Sequence, residues 1–142
     1  MQTFLPYPDY LKSMQCLDKD RLGNQVWREG LTLIRGKWPN HPASKMWRGH
    51  FYSLGEYLLI GVQVLNERVG SPKYDYLKER ILVEMKKHEN TGVPPWFGSE
   101  TFHAAHRAAL LYKLPEWYGQ FGWTETPDVP NEKGKLNYVW PL

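Results

Sequence analysis

Three consecutive residues, Trp27-Arg28-Glu29, carry the most chemistry in this 142-residue chain. Leu22, Val26 and Leu33 recur at helical spacing, and Glu29 falls on the same line, seven residues after Leu22 and four before Leu33. A carboxylate in a stripe that faces a core is costly unless it is paired or does chemistry. Arg28 and Arg21 project to a neighbouring face. A half-buried acid beside arginines is what a site acting on a polyanion needs. Two readings are open: a structural ion pair, or a catalytic carboxylate steadied by arginine.

Other candidates are more scattered. His103 and His106 lie three apart, which puts both imidazoles on one side of a helix, with Arg107 one turn after His103. A metal would need a third ligand from His41, His50 or His88, and no spacing fixes one, so no metal site is expected. Hydrogen bonding, packing in a cleft and phosphate contact remain as readings for these histidines. Asn40-His41-Pro42, followed by Lys45 and Arg48, reads as a capped turn opening a helix or as one wall of a cleft. His50 would share that wall. Trp117-Tyr118 near Lys113 is an aromatic-basic pair at a helix end, suited to the core or to stacking. No Gly-rich phosphate loop, nucleophile elbow or metalloprotease motif occurs, so nucleotide triphosphate chemistry and serine hydrolysis have no support.

The elements that must hold these residues are helical. Residues 1–12 read as an extended arm, because Pro6 and Pro8 oppose a helix there. Asp18 or Asp20 caps a helix running toward Arg35, in which Gly23 and Gly30 mark close approach of another backbone or a ligand. A second helix spans roughly Ser44 to Val69, with Leu54, Leu58, Gly61 and Leu65 on its apolar face. A third spans roughly Tyr74 to His88 and carries Leu77, Ile81, Val83 and Met85. Ser99 caps a fourth that stops at Pro115. The tail from Thr124 is extended, and Tyr138-Val139-Trp140 is placed to pack back on the body. No segment alternates as a strand. The expectation is an all-α single compact domain over 1–142, of about four helices with extended arms at both ends.

Composition narrows the partners. The chain has net charge +3, with seven Trp and nine Tyr. Basic residues interleaved with aromatics suit a surface that neutralises phosphates and stacks on bases, although a solvated globular surface reads the same way. The single cysteine, Cys16, allows neither a disulfide framework nor a cysteine-based zinc site. Met1–Pro8 lacks a charged start and an apolar core, so no signal peptide is expected. The run Tyr57–Leu65 is too short to cross a bilayer, and a soluble, cytoplasmic protein without a membrane partner is expected.

The order of motifs adds a resemblance. Leu17-Asp18 through Trp27-Arg28-Glu29, then Asn40-His41-Pro42, resembles the pyrimidine-dimer DNA glycosylases of the endonuclease V type. Arg107, Leu110-Leu111, Pro115 and Trp117-Tyr118-Gly119 resemble the last helix and aromatic turn of that family. Phe4-Leu5-Pro6-Tyr7, Arg21-Leu22-Gly23, Met46-Trp47-Arg48-Gly49, Pro94-Pro95-Trp96 and His103–Arg107 are similar to a bacterial and phage branch of it.

The resemblance implies a monomeric, cofactor-free DNA repair enzyme that binds double-stranded DNA and excises a damaged or modified pyrimidine. An N-terminal amine attacks C1′, and a Schiff base and β-elimination then nick the strand, the AP-lyase step. In general an α-amino group loses its proton near neutrality. Glu29 takes the place of the catalytic glutamate and Arg28 of the arginine before it. Arg107 takes that of a DNA-contacting arginine, and Trp117 and Tyr118 that of the turn touching the DNA backbone. Arg21, His41, Lys45, Arg48, His103, His106 and Lys113 complete the expected DNA-binding set. Gln2 departs from the family, where a small residue follows a removable initiator Met. Met1 or Gln2 then carries the amine, or the lyase step is altered or absent. Two alternatives stay beside this reading: a non-catalytic DNA- or nucleotide-binding module, and a histidine-dependent base-modifying enzyme built on His41, His103 and His106.

Overall fold

The computed structural model describes residues 1–141; Leu142, the last residue of the expected domain, lies outside them. The chain is all-α, with no strand among the described residues. In chain order it forms α1 (Tyr10–Cys16), α2 (Lys19–Gly23), a π-helix (Asn24–Gly30), α3 (Leu31–Ile34), α4 (Pro42–Trp47), α5 (Phe51–Val69), α6 (Asp75–Met85), α7 (Glu100–Lys113), α8 (Pro115–Tyr118) and a 3₁₀ turn (Gly119–Phe121). The four expected helices are the rod made of α2, the π-helix and α3, then α4 with α5, then α6 and α7. The short α1 and α8 are additional.

Local chemistry explains most boundaries. Asp9 accepts from the Lys12 N–H at 2.8 Å and caps α1, so the arm expected to stay extended through residue 12 ends at Asp9. A proline just ahead of a capped first turn does not oppose the helix that follows. The helix expected from Ser44 to Val69 is broken between α4 and α5, where Gly49 takes a φ of 81°. Pro42 opens α4, and His41 accepts from the Ala43 N–H at 3.0 Å as its cap. Ser99 holds the cap position of α7, but its side chain makes no cap bond.

α5 is the centre, packed by α1, α6 and the rod. Leu54, Leu58, Gly61 and Leu65 face inward as their spacing requires, and Leu22, Val26 and Leu33 are fully buried on the rod. In α6, Leu77, Ile81 and Met85 are buried at i, i+4 spacing, whereas Val83 lies off that line and stands in solvent. A Cβ on Gly61 would meet Val26 Cγ2 at 2.4 Å, and one on Gly30 would meet Leu58 Cδ2 at 2.1 Å and the Gln25 carbonyl at 2.3 Å. These two glycines let rod and core helix touch. Gly23 has no such neighbour, only the ring of its own Trp27 at 3.3 Å. Gly30→Ala is therefore expected to destabilise the fold by about 2 kcal/mol through overpacking, although alanine is the better helix former. Urea denaturation of the two proteins measures this, and equal midpoints would contradict the packing argument.

The N-terminal arm is the main departure from expectation. Gln2 to Pro6 are buried, and the core cluster begins at Phe4. The C-terminal tail lies back over the helices as expected. The Asp128 N–H donates to the Ala108 carbonyl at 3.0 Å, and Tyr138 and Trp140 pack against aromatic neighbours while Val139 between them faces outward. That alternation is what an extended segment gives. No helix among the described residues is long and apolar enough to cross a membrane.

Candidate active site

A buried extended segment outside any sheet must find partners for its backbone groups elsewhere. Here side chains supply them. Gln25 Oε1 accepts from the Phe4 N–H at 2.7 Å while its Nε2 donates to the Gln2 carbonyl at 2.8 Å. The Tyr57 hydroxyl donates to the Phe4 carbonyl at 2.6 Å. His106 Nδ1 accepts from the Leu5 N–H at 2.8 Å, and His103 Nδ1 meets the Leu5 carbonyl at 2.7 Å. His103 Nε2 accepts from the Gly98 N–H, which leaves the proton on Nδ1 to donate to Leu5. Arg107 donates to the Pro6 carbonyl, and Ser13 exchanges bonds with both backbone groups of Tyr7. Trp47 Nε1 donates to Thr3 Oγ1 at 2.9 Å.

This arrangement fixes the chain terminus against Glu29. The Gln2 N–H donates to Glu29 Oε2 at 3.3 Å, and Gln25 Nε2 donates to the same oxygen at 3.2 Å. Glu29 is half-buried in the π-helix, a rare geometry that recurs at functional sites because it re-aims side chains within a helix. Met1, Gln2 and Glu29 line one cavity of about 500 Å³ with Phe4, His41, Pro42, Lys113, Lys135, Tyr138 and Trp140 among its walls. No ion pair joins the Met1 amine to Glu29 among the described residues, so the carboxylate is not spent on neutralising it.

The electrostatics of the cavity centre on that carboxylate. Burial and then the nearby terminal ammonium hold His41 below the usual imidazole range, against the pull of Glu29. Burial and then Arg21 lower Lys113, again opposed by Glu29. Burial and then Glu29 raise the Tyr138 hydroxyl. Met1, which carries the terminal amine, and the side chains of Lys113 and Lys135 share the wall with this one acid, so positive groups outnumber it there.

Several expected roles need correction. Glu29 has no arginine partner. Arg21 pairs with Asp18 at 3.3 Å, and Arg28 is exposed. His103 and His106 are fully buried and bind the arm, so they offer nothing to phosphate and do not join His41 in one centre. Arg107 is also buried, with its donors committed to Glu125, Glu100 and the Pro6 carbonyl. It clamps the arm and the tail together instead of reaching DNA. Tyr118 is buried with its hydroxyl on Asp18, and Trp117 donates to the Cys16 carbonyl at 2.7 Å. Tyr118 thus docks α8 onto the cap residue of the rod, and Trp117 docks it onto the end of α1. Trp117 lines a separate cavity with Lys19 and Arg68, away from Glu29. Lys45 and Arg48 are exposed, and Arg48 donates to the Pro39 carbonyl at 3.3 Å. Burial pushes the Cys16 thiol to about 12, which leaves it an inert core residue.

Sequence reasoning missed Gln25, Tyr57, Tyr138 and Lys135. A glutamine one helical turn before the out-of-place Glu29 was a usable signal for the first. The tail residues gave none.

The arm, Gln25, Glu29 and His41 all lie within residues 1–78, the stretch that matches the pyrimidine dimer DNA glycosylase family. That is more than half of the 142 residues, and the chain belongs to this family. Comparisons with curated proteins and with solved structures returned no match. The family is one of DNA glycosylases, so DNA is the substrate class that membership implies.

Proposed function

We propose that residues 1–142 act as one DNA glycosylase domain on pyrimidine dimers in duplex DNA, with an AP-lyase step, and that the Met1 amine and Glu29 do the chemistry. One observation carries this: the segment holding the terminal amine is bonded to Glu29 through the Gln2 N–H at 3.3 Å, inside a cavity that Met1 and Glu29 share.

In this reading the neutral Met1 amine forms a bond to C1′ as the glycosidic bond breaks, and the base leaves with a proton. Positive charge developing on the sugar is stabilised by the Glu29 carboxylate. Loss of the amine proton and ring opening give the Schiff base. Glu29 then removes a C2′ proton, and the 3′ phosphate departs. Lys113, Lys135 and Arg21 neutralise the flanking phosphates, and exposed Arg28, Lys45 and Arg48 extend that surface. Gln25 is a positioning residue, because it holds both the arm and Glu29.

The test is incubation with duplex DNA carrying one thymine dimer, with borohydride present. A nick and a covalent protein–DNA complex are expected, with the adduct on the peptide beginning at Met1 after digestion and mass measurement. An adduct on Gln2 would move the nucleophile by one residue. Salt-dependent binding without base release or trapping would instead favour a non-catalytic binding module.

A further inference from the structure

Gln2 is 3% exposed, lines the same cavity as Glu29, and its Nε2 has no partner among the described residues. Its Oε1 accepts from the Thr3 N–H at 2.9 Å. That bond fixes which way the carboxamide points. Turning it over would press an NH₂ group against a buried N–H and leave both donors unpaired. The free end is therefore a donor. The other unpartnered buried side-chain nitrogen among the described residues, His106 Nε2, belongs to a residue that is not part of the cavity wall, so Gln2 is the wall residue with a buried, unpartnered donor.

A buried donor left unpaired is costly, and a ligand that brings an acceptor recovers that cost. The wall around Gln2 includes Phe4, Pro42, Leu136, Tyr138 and Trp140, which suits a flat neutral ring. The cations that suit a phosphate, Lys113 and Lys135, are separate residues of that wall. We propose that the Gln2 carboxamide donates to a keto oxygen of a pyrimidine base taken into this cavity, making Gln2 a residue that selects thymine- or uracil-type rings. An exocyclic amino group in that position would oppose the donor, and such mismatches at a built hydrogen-bonding site discriminate strongly. The inference rests on the glycosylase reading above.

The experiment compares wild type with Gln2→Leu and Gln2→Glu, both long enough at position 2 to keep Met1 in place. Gln2→Glu also keeps an oxygen for the Thr3 N–H. Single-turnover nicking is measured on a duplex with one thymine dimer and on the same duplex with an abasic site, which has no base to read. Both variants are expected to lose about tenfold more on the dimer than on the abasic duplex, the factor for one hydrogen bond to the base. Equal losses on the two duplexes, or none on either, would overturn the proposal. A second measurement separates it from the glycosylase reading itself. The Gln2 side-chain NH₂ resonances, assigned by their loss in Gln2→Leu, are followed during titration with thymidine 5′-monophosphate and with deoxyribose 5-phosphate. A shift with the nucleotide alone supports base recognition even if wild type nicks neither duplex. No shift, or the same shift with both, overturns it.

Discussion

Glu29→Gln is expected to lower single-turnover nicking of a thymine-dimer duplex by about 10³-fold or more, combining lost charge stabilisation and lost proton transfer. The substitution is nearly isosteric. Glu29 makes no ion pair among the described residues, and its two bonds, from the Gln2 N–H and Gln25 Nε2, go to one oxygen that a glutamine carbonyl can replace. The fold should therefore hold, and a denaturation midpoint close to wild type is the expected control. What disappears is the negative charge beside the deoxyribose and the base that takes the C2′ proton. Arg28→Ala makes the comparison sharp. Arg28 is adjacent in sequence but exposed, so its loss should weaken binding and flatten the salt dependence, leaving the saturated rate near wild type. Full activity in Glu29→Gln would refute the assigned mechanism.

The second large effect is on stability against acid. His106 is fully buried, and burial with the neighbouring His103 lowers it from 6.5 to about 3. The neutral ring accepts from the Leu5 N–H, so the folded chain resists protonation there while the unfolded chain takes a proton near 6.5. Stability from this ring is complete above that value and is lost as the pH falls from it toward the folded value. Each unit is about 1.4 kcal/mol, so pH 7 to pH 5 should remove about 2 kcal/mol. His103 is shifted in the same direction, by burial first, and adds to the slope. Glu125 and Asp128 are lowered in the fold, Glu125 chiefly by its hydrogen bond to Arg107 and Asp128 by its bonds to Asn137 and Val129 against the opposing effect of burial. Their contribution fades only below their own unfolded values, so the interval from pH 7 to pH 5 isolates the histidines. Urea midpoints at the two pH values measure the effect, and His106→Asn should flatten it. A wild-type protein equally stable at both would show that the arm is not held by a neutral histidine. Because His106 holds Leu5 and the arm holds the terminus at Glu29, nicking should decline with this titration as well.

How far the chain was readable follows from the range of each interaction. The helices were legible because a 3.6-residue period is local: Leu54, Leu58, Gly61 and Leu65 declare the inner face of α5 without knowledge of what covers it. Glu29 was legible for the same reason, as an acid interrupting such a line. His103, His106 and Arg107 were visible as a cluster, but their partners lie about a hundred residues away, at Leu5 and Pro6. Nothing in their spacing distinguishes a phosphate-facing surface from a buried staple. Gln25 had one local signal, its place a turn before Glu29, but that spacing does not say which backbone segment is laid against it. The π-helix was hidden too, since the apolar spacing of Leu22, Val26 and Leu33 reads as an ordinary helix through Asn24–Gly30.

The sequence by itself determined the helical class, the inner faces, the family and the glutamate on which the chemistry is proposed to turn. These depend on residue type and near-neighbour spacing, which the chain carries wherever it folds. Only the tertiary structure decided that the arm is buried, that its backbone is satisfied by Gln25, Tyr57, His103, His106 and Arg107, and that the tail closes one cavity around Met1 and Glu29. A buried extended segment outside any sheet must recruit donors and acceptors from distant helices, and which ones it recruits is settled by packing alone.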